Sequence, residues 1–320
     1  MSVRPVSTVL AETRRGHPGL FGLAVAMAVL AAVLAILLPL DDRVLLGAPI
    51  WLKPLKFALS IALYAAALSW MLARIDLPGR GARRSGWVIS VAATVEMVII
   101  VGQAARGVRS HFNDSTTFDI ALFALMGATI VVLWLATLGI ALRFLRRSGP
   151  DPATTWAVRS GIAVSLLGMA VGFLMIGADG HVVGAPEDSP GLAFVGWSSL
   201  GGDLRIGHFI GMHALQVLPL LAAALAVVPR RLLDDGARVR LIGVAAAGYT
   251  ATTLLLTWQA LRGQPLLAPD ATTLVAAGLL VAAVTIAVAV VLAGAGAPAG
   301  GESVPEPHPA PTTVSTAPAP

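Results

Sequence analysis

Cysteine is absent from the chain. That excludes disulfides, thiolate metal ligands, iron–sulfur clusters and thioether-bound haem, and it leaves the redox compartment open. Charge is scarce as well: 12% of the 320 residues are Asp, Glu, Lys or Arg, about half the share of an ordinary soluble domain. Sustained amphipathic repeats are missing, so a soluble core with alternating faces is not expected. No Ser-His-Asp arrangement, phosphate-cradling glycine loop or dinucleotide fingerprint is visible. No internal repeat stands out.

What the sequence does have is apolar residues, 57% of the total, gathered into runs of about twenty, the length that crosses a bilayer as a helix. Eight such runs fall near Leu20–Leu40, Pro54–Arg74, Gly86–Ala105, Thr117–Arg143, Trp156–Gly177, Ile206–Val228, Val239–Ala260 and Ala271–Leu292. The expected fold is an all-α polytopic transmembrane helix bundle, with the spans filling residues 18–294. Residues 1–17 are read as a short cytoplasmic N-terminus. Residues 295–320, rich in Pro and Ala, are read as a disordered cytoplasmic tail. The first run is too long for a signal peptide and lacks a small-residue cleavage site, so it is expected to stay as a span. Being free of polar side chains, it should lie at the lipid-facing edge.

The formal net charge of +5 does not point to nucleic acid, because the arginines collect in loops. Fourteen of the Lys and Arg residues fall at the N-terminus and after spans two, four and six, and seven fall on the opposite side, with Arg159 inside span five. The positive-inside rule then makes both termini cytoplasmic, in a multi-pass protein of the cell membrane.

Polar residues are concentrated towards the outer ends of certain spans. Lys53, Lys56, Ser60 and Tyr64 recur at three or four and share a face of span two. In span three Glu96, Gln103 and Arg106 do the same, leading into Arg109, Ser110, His111 and Asn113. Span six opens with Asp203, Arg205, His208, His213 and Gln216, and span seven carries Tyr249, Thr252, Thr253, Thr257 and Gln259. Ionisable groups inside a membrane are costly and mark a site by default. The expected ligand-binding residues are therefore Lys53, Lys56, Glu96, Gln103, Arg106, Arg109, Asn113, Asp203, Arg205 and Gln216, meeting at one depth. Glu96, the deepest charge, is either a packing carboxyl bonded to a neighbouring helix, or a proton carrier or counter-charge for a ligand.

His208 and His213 are five apart, about 140° around a helix, so one ion could hardly use both. They are either hydrogen-bonded between helices or axial ligands of a b-type haem with His111 as a further candidate; no metal site is assigned. His111 alone reads as a solvated loop residue. The segment from Asp179 to Gly202 is long enough to cap the outer mouth. Gly207 and Gly211, and Gly168 and Gly172, are spaced for close helix contact. Arg159 should reach to the inner surface, and His17 is assigned no role.

Three stretches together, Trp51-Leu52-Lys53-Pro54-Leu55-Lys56-Phe57, Arg106…Ser110-His111-Phe112-Asn113 and Gly202-Asp203-Leu204-Arg205…His208…His213-Ala214-Leu215-Gln216, resemble a group of bacterial multi-pass membrane proteins with no established activity. That resemblance implies the membrane class alone. Eight spans with outer histidines are also similar to haem A synthase, although that family places histidines in both halves of the bundle and the first four spans here contain none. Three functions stay open. They are binding or transport of an anionic small molecule or lipid headgroup with Glu96 as a proton-linked acid, a redox enzyme holding haem b or a metal, and an assembly subunit.

Overall fold

The structure is a computed structural model that describes residues 6–75, 79–178 and 180–295. Nine α-helices occur among the described residues: α1 (Val6–Gly16), α2 (Pro18–Leu37), α3 (Leu52–Arg74), α4 (Arg80–Ala105), α5 (Thr117–Phe144), α6 (Pro152–Gly177), α7 (Leu204–Val227), α8 (Asp235–Leu261) and α9 (Ala271–Ala295). All but α1 are long and apolar enough to cross a membrane, so the chain is an all-α polytopic bundle. Arg4, Pro78, Asp179, His308 and the expected tail from 296 onward lie outside the described residues.

The spans match the apolar runs, with one systematic difference. α4, α6 and α8 begin four to six residues earlier than the hydrocarbon-length runs, at Arg80, Pro152 and Asp235. Local capping accounts for two of these: the Asp151 carboxylate accepts from the Thr154 amide at 2.7 Å and the Asp234 carboxylate from the Ala237 amide at 2.6 Å. Caps of this kind satisfy donors that a helix start leaves orphaned, so the helix continues past the apolar stretch into the polar boundary.

The N-terminal segment is the larger correction, because Val6–Gly16 is helical and is anchored to the bundle. Gly16 lets α1 press on α3, since a Cβ there would stand 1.8 Å from the Ser69 carbonyl oxygen. His17 is 2% exposed and caps α2: its Nδ1 accepts from the Leu20 amide at 3.1 Å, and its Nε2–H donates to the Arg83 carbonyl at 2.9 Å. Burial is the main cause that holds this imidazole below its ordinary pKa of 6.5. The pair of bonds requires the neutral ring, with one nitrogen accepting and the other donating.

α2 is less peripheral than expected. Leu20, Leu23, Ala24, Met27, Ala31 and Leu34 line one buried face that joins the main core with residues of α3 and α4. α9 is the lipid-facing helix, with 6% of its most apolar window buried. α6 and α7 cross closely, since a Cβ on Gly168 would come within 2.4 Å of the Gly211 backbone. In a bilayer, lipid tails are as apolar as leucine, so such backbone approach, not burial from water, supplies the attraction. The crossing fixes α7 and thereby the polar residues on its first turns.

Candidate functional site at the outer end

Two loops, not helices alone, bring together the polar groups at the arginine-poor end, which the positive-inside rule makes the outer one. Residues 106–116, between α4 and α5, turn back into the bundle. There the His111 ring packs 5.6 Å from Phe57, 6.5 Å from Phe112 and 6.3 Å from Phe123. His111 is therefore an inserted residue, which corrects the solvated-loop reading. Its Nδ1 accepts from Lys53 Nζ at 3.2 Å and from Ser110 Oγ at 3.0 Å. With two donors on Nδ1, the ring proton sits on Nε2, which faces Glu96 Oε1 at 3.6 Å. Burial, followed by the charges of Lys53, His181 and His208, keeps His111 well below its ordinary pKa.

The second loop, residues 180–203, folds over the mouth as a cap. Strand β1 (Val44–Leu45) pairs with β2 (Ala48–Pro49) elsewhere on the outer side, while β3 (Val182–Val183) pairs antiparallel with β4 (Gly202–Asp203) to close the cap. Lys56 Nζ donates to the Val195 carbonyl at 3.0 Å, and Arg205 Nη2 donates to the Gly196 carbonyl at 2.5 Å. Asp203, fully buried, is the hub beneath. Its carboxylate accepts from the Arg205 side chain at 2.6 Å, the Arg205 amide at 3.0 Å and the Ser198 amide at 2.9 Å. Burial pushes the Asp203 carboxyl up, but the Arg205 guanidinium and the Ser198 amide outweigh it and hold it below the usual carboxylate range.

His181, on this cap, was not among the expected site residues. Its Nε2 stands 2.9 Å from Glu187 Oε1 and its Nδ1 3.9 Å from Asp203 Oδ1. Burial and the charge of Arg205 lower its pKa to about 4, against the opposing pull of Asp203 and Glu187. Lys53 lies within electrostatic reach of Glu96, Lys56, Arg109 and Arg205. The vestibule so assembled comprises Lys53, Lys56, Glu96, His111, His181, Asp203, Arg205 and His208. Lys53 is exposed at its mouth and Glu96, 3% exposed, lies at its base. One carboxylate oxygen of Glu96, Oε2, is buried with no hydrogen-bond partner.

Other expected members go elsewhere. Arg106 pairs with Asp119 at 2.7 Å and bonds Gln103, while Gln103 also donates to Asp119 at 2.8 Å. This is a separate network fastening the start of α5. Asp119 was missed, although Thr116-x-x-Asp119 is a readable capping pattern: Thr116 Oγ1 accepts from the Asp119 amide at 3.1 Å and donates to its carboxylate at 2.7 Å. Asn113 shapes its own loop, donating to the Arg109 carbonyl at 2.8 Å and accepting from the Ser115 amide at 3.2 Å. Arg109 stands 3.9 Å from the exposed Asp114.

The histidines of α7 separate, as their angular spacing requires. His208 Nδ1 donates to the Gly168 carbonyl of α6 at 2.9 Å, an interhelical bond. His213 bonds the Phe209 carbonyl of its own helix at 2.7 Å and stacks on the Phe209 ring, with centroids 4.1 Å apart. It does not pair with Gln216, whose Oε1 is buried without a partner. His208 and His213 therefore do not address one ligand, and His111 Nδ1 is already occupied. Among the described residues no group of three or more His, Asp or Glu is placed to hold a metal ion.

α8 contributes no polar face to the vestibule. Thr252, Thr253 and Thr257 return their hydroxyls to carbonyls one turn back, and Tyr249 donates to the Ile210 carbonyl at 2.8 Å. Gln259 donates to the Pro265 carbonyl at 2.8 Å. These bonds fasten helices and loops. Arg159, at the inner end, does not extend to lipid; it donates to the carbonyls of Phe144, Leu145 and Arg147 and closes the end of α5.

Fold and side-chain placement together define a multi-pass membrane helix bundle with a cluster of polar and ionisable groups beneath a loop at one end. No family model matches the chain, and no curated protein or solved structure matches it either.

Proposed function

We propose that the outer vestibule binds a small anion, a carboxylate or phosphate, carried by a free solute or by a lipid headgroup. One observation carries this reading. At the outer end all five arginines, Arg43, Arg106, Arg109, Arg205 and Arg262, stand within ion-pair distance of a carboxylate, whereas Lys53 and Lys56 have no carboxylate that close among the described residues. Lys56 meets a neutral carbonyl and Lys53 a neutral imidazole. Two ammonium groups on adjacent turns of one helix, without a close ion-pair partner among the described residues, attract an anion by charge and can donate to its oxygens.

Glu96 makes the binding proton-linked. Ionised, it offsets one of the lysines; protonated, it leaves the vestibule basic. An anion therefore binds better when Glu96 holds its proton, and by reciprocity anion binding favours protonation. Outward loading of this kind is the first half of proton-linked transport, with the cap as the outer gate.

The test is titration calorimetry of the purified full chain with inorganic phosphate and with acetate, in two buffers of different ionisation enthalpy. Lys53→Gln/Lys56→Gln is expected to weaken binding at least tenfold. Glu96→Gln should keep binding and abolish the buffer-dependent proton uptake. A double lysine variant that binds like the parent overturns the anion site. Equal proton uptake in Glu96→Gln overturns the role of the acid.

A further inference from the structure

A second place on the molecule has the chemistry of a ligand site, and it lies away from the vestibule. Between α4 and α5 an open groove of ≈ 410 Å³ faces the bilayer. Its walls include Trp87, Val88, Val91, Val95 and Val132, and the small side chains of Ala92 and Ala128 leave the space between them. The one hydroxyl there, on Thr129, is turned back to the Met126 carbonyl at 2.9 Å. The groove is lined almost wholly by apolar surface.

What lies above it distinguishes it from ordinary surface roughness. Arg84 precedes Trp87, Val88 and Val91 by three, four and seven residues on α4, so it continues the same helical stripe one turn towards the arginine-rich end. Arg84 is exposed, as are Arg83 and Arg80 beside it and Arg146 and Arg147 at the close of α5. None of these has a carboxylate within ion-pair distance among the described residues. Trp87, at the lip, is held edge-on to the buried His17 ring at 5.6 Å, the level at which indoles sit in membrane interfaces. Going inward from the surface, the order is unneutralised guanidinium, indole, then an apolar channel. A phospholipid presents the matching order of phosphate, glycerol ester and acyl chain.

We infer that this groove holds one acyl chain of an anionic phospholipid from the arginine-rich leaflet, with Arg84 on its phosphate. Charge complementarity selects the occupant. Clustered arginines beside a span attract anionic headgroups, and the same cluster repels a second copy of this chain brought against the groove.

Native mass spectrometry of the full chain, released from mixed phosphatidylglycerol and phosphatidylethanolamine of identical acyl chains, tests it. The parent protein is expected to retain one phosphatidylglycerol in at least tenfold preference. Arg84→Gln should remove the preference, and Arg231→Gln, which leaves the groove untouched, should keep it. Ala128→Trp and, independently, Val91→Phe fill the groove and should abolish retention of either lipid. Equal retention of the two lipids by the parent overturns the inference. So does undiminished retention in the folded filled-groove variants, a loss of preference in Arg231→Gln as large as in Arg84→Gln, or a dimer of the chain in place of the lipid. The vestibule's calorimetry is unaffected by any of these outcomes, so the two readings fail separately.

Discussion

The two ends of the bundle use arginine in different proportions, carboxylate pairs at one and backbone carbonyls more often at the other. At the outer end each arginine meets a carboxylate, as in Arg205–Asp203 at 2.6 Å and Arg262–Asp270 at 2.5 Å. At the inner end three arginines, Arg74, Arg230 and Arg238, also reach a carboxylate, on Glu12 or Asp235, but backbone carbonyls are the commoner partner: Arg159 bonds three at the close of α5, Arg143 donates to Gly139 at 2.6 Å and Arg238 also to Val228 at 2.6 Å. The carbonyl end of a helix carries partial negative charge, so a cation there satisfies orphaned acceptors and the dipole together. Arginine thus does structural work at both ends by different means. Lys53 and Lys56 stand apart from the outer arginines, because neither has a carboxylate within ion-pair distance among the described residues: Lys56 meets the Val195 carbonyl and Lys53 the His111 ring.

Breaking the outer hub should have the largest effect. Asp203→Ala removes a helix cap, an amide contact and the partner of Arg205, with an expected loss of about 3 kcal/mol, read as a lowered thermal midpoint in detergent. Arg159→Ala at the inner end deletes bonds to carbonyls that water can partly replace, and should cost about 1 kcal/mol. An inner variant as damaging as the outer one would erase the contrast. Glu96→Gln should go the other way. Exchanging a buried carboxylate that has an unpartnered oxygen for a neutral amide should raise stability by up to about 1 kcal/mol, and a fall instead would mean that the charge itself holds the fold.

Acid should weaken both ends. His17 at the inner end and His111 and His181 at the outer all have pKa values held below 6.5, to about 4 for His181. A histidine kept neutral by folding contributes stability that is complete above pH 6.5 and is lost as pH falls through the folded value. The thermal midpoint should therefore decline between pH 6.5 and about 4. His17→Asn should remove only the inner share. The smallest effect is expected for Asp114→Asn, whose partner Arg109 stands 3.9 Å away in the open; its midpoint should be that of the parent.

The spans were legible because apolar length is a one-dimensional property. Membership of the site was not, because it depends on which partner each charge finds after the loops fold. Arg106 shares a helix face with Glu96, yet Asp119, thirteen residues on, captures it. His111 looked like loop, and only the return of residues 106–116 into the bundle makes it the link between Lys53 and Glu96. The five-residue spacing of His208 and His213 did foretell that they face different ways. The helix at residues 6–16 was missed because eleven residues ending in Arg14-Arg15 are too short and too polar to stand out as a span, and its docking surface lies on α3.

The cap on α2 has a consequence for biogenesis. The hydroxyl that receives the His17 amide belongs to Ser69, 52 residues further along, and the carbonyl that receives its imidazole belongs to Arg83, 66 residues further along. While the chain emerges from the ribosome, the first span can form its local bond between the Leu20 amide and the His17 ring at once. The Ser69 hydroxyl comes with the second span and the Arg83 carbonyl with the third, so the start of α2 is secured one span at a time.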